Sequence, residues 1–201
     1  MTTAAGPTDT EVEVRTFVPS MAEDLSKLFA SDPSASGCWC MWFITSVKEY
    51  HAAGAAGNRE KFEALALEAK EPLGLVAYRQ GQPIAWCAVG PKERFVRAVR
   101  TPTLKAASPG PADIAWFVPC FFVRSDHRRT GVTRALLKRA VDLAAEHGAV
   151  IIEGFPFSGN RPRPSGDRQA GTEGVFASVG FAPVRRPSES RVVMQRRVRR
   201  K

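Results

Sequence analysis

The stretch that most constrains this chain runs from Phe121 to His147. An apolar strand ends at Val123, a short basic turn follows, and a long helix begins near Gly131. Spacing identifies the helix. Val132, Leu136, Ala140, Leu143 and Ala144 make one stripe, with Leu137 and Val141 beside it, and His147-Gly148 is a suitable end. The turn is Arg128-Arg129-Thr130-Gly131-Val132-Thr133, of the form R-x-x-G-x-small. Backbone N–H groups at such a turn converge with the positive end of a helix dipole, and arginines surround them. Gly131 lets the main chain approach a ligand without a Cβ in the way. The chemistry is that of an anion cradle.

The flanking segments follow from the same periodicities. Ile114 to Val123 is apolar throughout, as a strand covered on both faces should be. Pro119 inside it conflicts with that reading, because proline removes a ladder hydrogen bond. Val150 to Glu153 reads as the next strand, parallel to the central one across a right-handed crossover. Upstream, Val12 to Phe17 is a short strand. Ser20 with Glu23 makes a capping box for a helix that stops near Asp32-Pro33, and Asn58 to Ala69 is a second helix capped by Asn58. Leu73–Tyr78 and Ile84–Val89 flank a Gln80-Gly81 turn as a hairpin. Arg94 to Ala107 is a basic helical excursion or loop, and Ser108 to Pro111 a break. Phe155 to Gly171 is a long loop, Thr172 to Val179 a short helix, and Phe181–Arg186 with Val192–Val198 a final hairpin.

Length bounds the organisation. The 201 residues suit one domain, here residues 11–198, with a disordered lead-in at 1–10 and a basic tail at 199–201. The start lacks the features of a signal peptide, and no apolar run is long enough to span a bilayer, so the expected setting is cytoplasmic without membrane association. The net charge of +9 is concentrated. Arg124–Arg139 holds six basic residues and one acid, and Arg185–Lys201 eight and one. The second block reads as a solvated strand and tail, or as a surface for nucleic acid or an acidic partner. Cys38, Cys40, Cys87 and Cys120 are spread as buried small residues rather than a disulfide framework, and Cys38-x-Cys40 lacks zinc spacing, so no metal is expected.

The strand–turn–helix stretch resembles the acetyl-CoA motif of the GCN5-related N-acetyltransferases, the GNAT superfamily. That family's pattern, Q/R-x-x-G-x-G/A, is matched at Arg128 and Gly131 and departs at Thr133, which is small but β-branched. The element order matches over nearly the whole chain. The Cys38-Trp39-Cys40-Met41-Trp42 segment is similar to one that marks a bacterial subgroup. The resemblance implies an α/β (α+β) GNAT-like fold: a central, mixed, mostly antiparallel sheet, splayed at the coenzyme A site, with helices on both faces. It implies a bulge in the central strand, beside which Pro119 is tolerated, and acetyl-CoA as co-substrate. The pyrophosphate would lie on the N–H groups of Arg129, Thr130, Gly131, Val132 and Thr133, with Arg128 and Arg134 nearby. Main-chain groups of Phe121, Phe122 and Val123 would meet the pantetheine arm. The implied activity is direct acetyl transfer to a primary amine of a small molecule or protein. A non-catalytic acyl-CoA-binding or regulatory module is the first alternative. An RNA- or protein-directed enzyme docking through the basic C-terminus is the second. Monomer and homodimer both stay open.

Catalytic groups are harder to place. Glu153, at the end of the strand beside the central one, is the leading general base, acting through water; its other reading is an acid that pins a loop or pairs with an arginine. Phe176 stands where many members of the family carry the tyrosine that protonates the leaving thiolate, and phenylalanine cannot donate a proton. Cys120 reads as packing, since no histidine is placed to activate it. Trp39, Met41, Trp42, Phe43 and Trp86, with the loop after Glu153, are the expected acceptor-pocket walls, although aromatic residues in such a cluster also fit a core plug. An aromatic pocket favours an apolar or aromatic amine over a polyamine.

Overall fold

Alternation of apolar residues decides which side of the sheet each strand feeds. In the computed structural model, which describes residues 12–102, 115–159 and 169–198, the strands are β1 (Glu13–Thr16), β2 (Gly74–Arg79), β3 (Gln82–Pro91), β4 (Ala115–Val123), β5 (Ile151–Gly154), β6 (Ala182–Ser188) and β7 (Arg191–Arg197). Among the described residues they form one sheet in the order β1-β2-β3-β4-β5-β7-β6. β4 and β5 pair in parallel, and every other neighbouring pair is antiparallel. The mixed sheet with helices on both faces is the expected fold class.

On one face, Leu75, Ala77, Cys87 and Val89 pack against Leu136, Leu137 and Ala140 of α5 (Val132–Glu146). On the other, Val76, Tyr78 and Trp86 pack against Leu25 and Phe29 of α1 (Ala22–Ala30) and Phe62 of α3 (Val47–Glu68). Three shorter helices complete the set: α2 (Pro33–Cys38), α4 (Val96–Arg100) and α6 (Glu173–Ala177).

Pro119 sits where the bulge was expected. The β3–β4 register runs Ala88↔Cys120 and then Gly90↔Phe117, so Val118 and Pro119 together oppose Val89. One extra residue inverts the alternation. Trp116 and Val118 face the α5 core before the bulge and Phe121 does after it, while Cys120 and Phe122 turn to the α1–α3 side. β5 pairs with β4 only over Ala115–Val118. Past Pro119 the sheet therefore parts, and β5 continues its pairing with β7 instead.

Several local readings change. A 3-10 turn, Pro19–Met21, leads into α1, whose N-cap is Met21 without a side-chain cap, so Ser20 and Glu23 form no capping box there. The capping box is made by Ser46 and Glu49 at the start of α3, which runs 22 residues and kinks at Gly54. Asn58 lies inside α3 rather than capping it, and its buried Nδ2 donates to the Gly37 carbonyl at 3.0 Å, tying α3 to α2. The Ser/Gly-rich segment before Cys38 is α2, started by Pro33 and an Asp32 cap to Ser34 N. Its residues are too small to show an apolar period, so only the cap announces it. The expectations for 1–10, 108–111, 160–168 and 199–201 fall outside the described residues. Among the described residues, no helix is long and apolar enough to cross a membrane.

Candidate active site

The basic turn is built as an anion cradle. Gly131 takes φ 84° at the N-cap of α5, a left-handed conformation that disfavours other residues. α5 has no side-chain cap and no acidic residue in its first turn. Its first N–H groups therefore lack a side-chain acceptor, and the positive end of its dipole is not neutralised. Arg128 Nε donates to the Val123 carbonyl at 3.1 Å and Thr130 Oγ1 to the His127 carbonyl at 2.7 Å, which fixes the turn against the end of β4.

Three cavities run in line from this turn. The first, about 240 Å³, is walled by Arg128, Arg129, Gly131, Thr133 and Arg134. The second, about 190 Å³, follows Phe121, Phe122 and Val123 along β4 and shares Val123, Arg128 and Thr133 with the first. The third, about 490 Å³, opens at the bulge, where Pro119 and Cys120 form its floor. It shares Ser34 and Gln169 with the second, and Gln169 Nε2 donates to Ser34 Oγ at 3.2 Å between them. The result is one trough: basic turn, strand edge, bulge, chamber. The edge of β4 past Pro119 has no strand paired along its trough side among the described residues.

A model of the acetyltransferase (GNAT) family matches residues 33–161, well over half of the sequence and including the bulge, the strand edge and the turn. The chain belongs to the GNAT acetyltransferase family. Solved structures share the fold at low identity. A GNAT acetyltransferase from Streptococcus pneumoniae aligns with a TM-score of 0.55 at 12% identity, covering 94% of this chain and 99% of its own. The GNAT domain of PAT from S. lividans gives 0.53 at 18%, covering 93% and 90%. YncA from Salmonella typhimurium, solved with its cofactor acetyl-CoA, gives 0.55 at 16%, covering 94% and 95%. No curated protein sequence matches significantly.

In this GNAT protein the chamber walls differ from those expected. Trp42 and Phe43 line it, but Trp39, Met41 and Trp86 do not. Trp39 and Met41 are buried, and Trp86 is fully buried with edge contacts to Phe17, Phe29 and Phe62. The cause is local. Trp39 and Cys40 both take positive φ, 46° and 55°, so the chain reverses within the aromatic run, leaving Trp39 in the core and bringing Trp42 and Phe43 to the chamber. Trp86 acts one step back, its Nε1 donating to Cys40 Sγ at 3.2 Å.

Cys40 Sγ also lies 3.1 Å from Cys120 Sγ. The contact with Cys120, reinforced by burial, pushes the Cys40 thiol well above its ordinary range and keeps it protonated. Both cysteines, with Cys38, line the chamber, and Cys120 is also buried in the core on the α1–α3 side. Tyr50 lines it too, and its phenol is raised mainly by burial. Arg97 and Arg191 complete the polar part of the lining, in which no described residue is acidic. Sequence reasoning missed Tyr50 and Arg97. Neither belongs to a motif, and α4 and the front of α3 have no apolar period to mark them.

Glu153 is the main correction. Its carboxylate is buried and lines none of the three cavities. Oε2 is ion-paired with Lys92 Nζ, and Oε1 accepts from Gln195 Nε2 at 3.1 Å. A buried carboxylate held by a lysine and an amide lacks access to the trough. Glu153 instead ties β5 to β7 and to the 3-10 turn Lys92–Arg94. Phe176 is fully buried against Phe121 and Phe181, and a Cβ on Gly154 would meet its ring at 2.0 Å. Position 176 is thus part of the core under the trough.

Proposed function

We propose that the protein is an acetyl-CoA-dependent N-acetyltransferase that moves an acetyl group directly to a primary amine of a small molecule or protein. The observation that supports this most is the continuity of the trough: a helix N-terminus without a side-chain cap among arginines, a strand edge with no strand partner among the described residues, and a chamber at the bulge. These are the parts a pyrophosphate, an amide-bearing arm and an acceptor require, in that order. When bound, acetyl-CoA supplies an acetyl thioester for attack by the amine. The turn from Arg128 to Arg134 holds the anionic end, and main-chain groups of Phe121 to Val123 hold and orient the arm. Tyr50 lines the chamber and, as a phenol, carries its proton at neutral pH, so it is the hydroxyl we assign to return a proton to the leaving sulfur.

Incubation with acetyl-CoA and a broad panel of primary amines should release free thiol. Absence of coenzyme A binding by calorimetry would overturn the reading. Tight binding with no turnover on any amine would favour a non-catalytic acyl-CoA module. Tyr50→Phe is expected to lower kcat by about a hundredfold while leaving coenzyme A affinity unchanged; unchanged kcat would remove Tyr50 from the chemistry.

One observation keeps a macromolecular acceptor in view. The two basic blocks of the sequence meet, since Arg134 and Lys138 of α5 share a broad depression with Arg196 and Arg197 of β7. Such a surface suits an acidic partner more than it suits base-specific recognition.

A further inference from the structure

We infer that the acceptor chamber recognises a carboxylate on the amine substrate, through the side edge of Arg97. This rests on the acetyltransferase reading for the identity of the chamber, and it narrows the acceptor to amines that carry an acid group, such as α-amino acids.

Arg97 lines the chamber, and its guanidinium carbon lies 3.7 Å from the centroid of the Trp42 ring. Stacking occupies the face of the guanidinium and leaves its edge donors for other partners. Two of them, Nε and Nη2, are sealed from solvent and have no hydrogen-bond partner among the described residues. Buried donors on a charged group are costly to leave unpaired, and native structures seldom do so without a reason. Nε and Nη2 are the pair whose N–H bonds run parallel along one side, the fork that fits both oxygens of a carboxylate.

The same chain uses this fork elsewhere. Arg15 holds Glu13 by Nε to Oε1 at 2.7 Å and Nη2 to Oε2 at 2.6 Å. Arg124 holds Asp126 by Nε to Oδ1 at 3.3 Å and Nη2 to Oδ2 at 2.7 Å. In Arg97 the same two donors are buried and have no hydrogen-bond partner among the described residues. The rest of the chamber agrees in sign. Arg191 is a second cation in the lining, and the described lining has no acid to attract a polycation. Burial lowers the affinity of Arg97 for its proton, yet a guanidinium stays charged at neutral pH. Trp42, Phe43, Tyr50 and Phe155 supply apolar walls for a side chain, and about 490 Å³ falls within the usual range for a small-molecule site.

Because Nε and Nη2 are sealed from solvent, a carboxylate reaches them only if the Arg97 side chain moves, and that movement alters its contact with the Trp42 ring. Trp42 is 37% exposed, whereas Trp39, Trp86 and Trp116 are buried. Docking should therefore change indole fluorescence from Trp42.

The test measures binding, not turnover. N-acetylglycine, N-acetyl-leucine and N-acetyl-phenylalanine are titrated into the full chain beside their carboxamides, by fluorescence and calorimetry, with coenzyme A affinity measured separately. At least one acid should bind about tenfold or more tighter than its amide, the scale of a charge-assisted hydrogen bond. Arg97→Met should abolish the difference, and Arg97→Lys should restore only part of it, both with coenzyme A affinity unchanged. Equal binding of every acid and amide pair overturns the inference, as does a preference that survives in Arg97→Met. If coenzyme A binds but no pair is discriminated, the acetyltransferase reading stands and the carboxylate does not. Discrimination without coenzyme A binding leaves the carboxylate site and removes the cofactor reading.

Discussion

Lys92→Met is expected to lower the stability of the protein by about 3–5 kcal/mol, measured by denaturant unfolding, because it strands the Glu153 carboxylate inside the fold. The Lys92 and Glu153 side chains are only 6% and 1% exposed, so neither charge can fall back on water. The double variant Lys92→Met/Glu153→Gln should recover most of the loss. It removes both charges and keeps an amide oxygen for Gln195 to donate to. The double variant also settles the role of Glu153. A general base contributes about a hundredfold to ten-thousandfold, so its loss would collapse kcat. Retention of kcat within a few-fold, per folded molecule, is the expected result. A collapse of kcat without a change in stability would return Glu153 to the catalytic machinery.

The second large effect concerns the turn. Thr133→Asp is expected to raise thermal stability slightly and to weaken coenzyme A binding by about a hundredfold or more. Position 133 lies in the first turn of α5, where no acid is present to meet the dipole. A carboxylate there stabilises a helix by about 0.3–1 kcal/mol. Against a pyrophosphate the same charge is repulsive, by roughly 4 kcal/mol per unit charge at 4 Å with an effective dielectric of 20. Opposite signs for stability and binding separate a ligand effect from misfolding. If coenzyme A affinity were unchanged in a stabilised variant, the cradle would not hold the anion.

Much of the fold was legible because its signals are local. The α5 stripe, Gly131, the Gln80-Gly81 hairpin turn and the Pro119 conflict each announce a backbone conformation within a few residues. In the structure Gln80 and Gly81 both take positive φ, as a two-residue hairpin requires. The anion turn was legible for the same reason, since one helix end and its flanking arginines suffice to build it. Ser20 and Ser46 show the limit. Both precede a Glu by three residues, but only Ser46 closes the capping box, because the Pro19–Met21 turn takes the place of the other.

The chamber was not legible, because it is assembled from segments far apart in sequence. Its walls come from α2 and the turn after it, α3, α4, β4 and the loops beside β7. Residue type cannot reveal which aromatic ring faces inward when two consecutive left-handed residues redirect the chain, and so Trp39 belongs to the core while Trp42 faces the chamber. Nor could it reveal that Lys92, 61 positions away, would reach Glu153 and turn a candidate base into a buried tie.

The sequence by itself determined the sheet with its crossover helix and the left-handed turn at Gly131, because each depends on short-range backbone geometry. Tertiary structure alone decided which charges are spent in the core, which remain on the chamber wall, and that two buried donors of Arg97 lack a partner among the described residues. Burial and pairing are properties of segments brought together, and no stretch of the chain carries them alone.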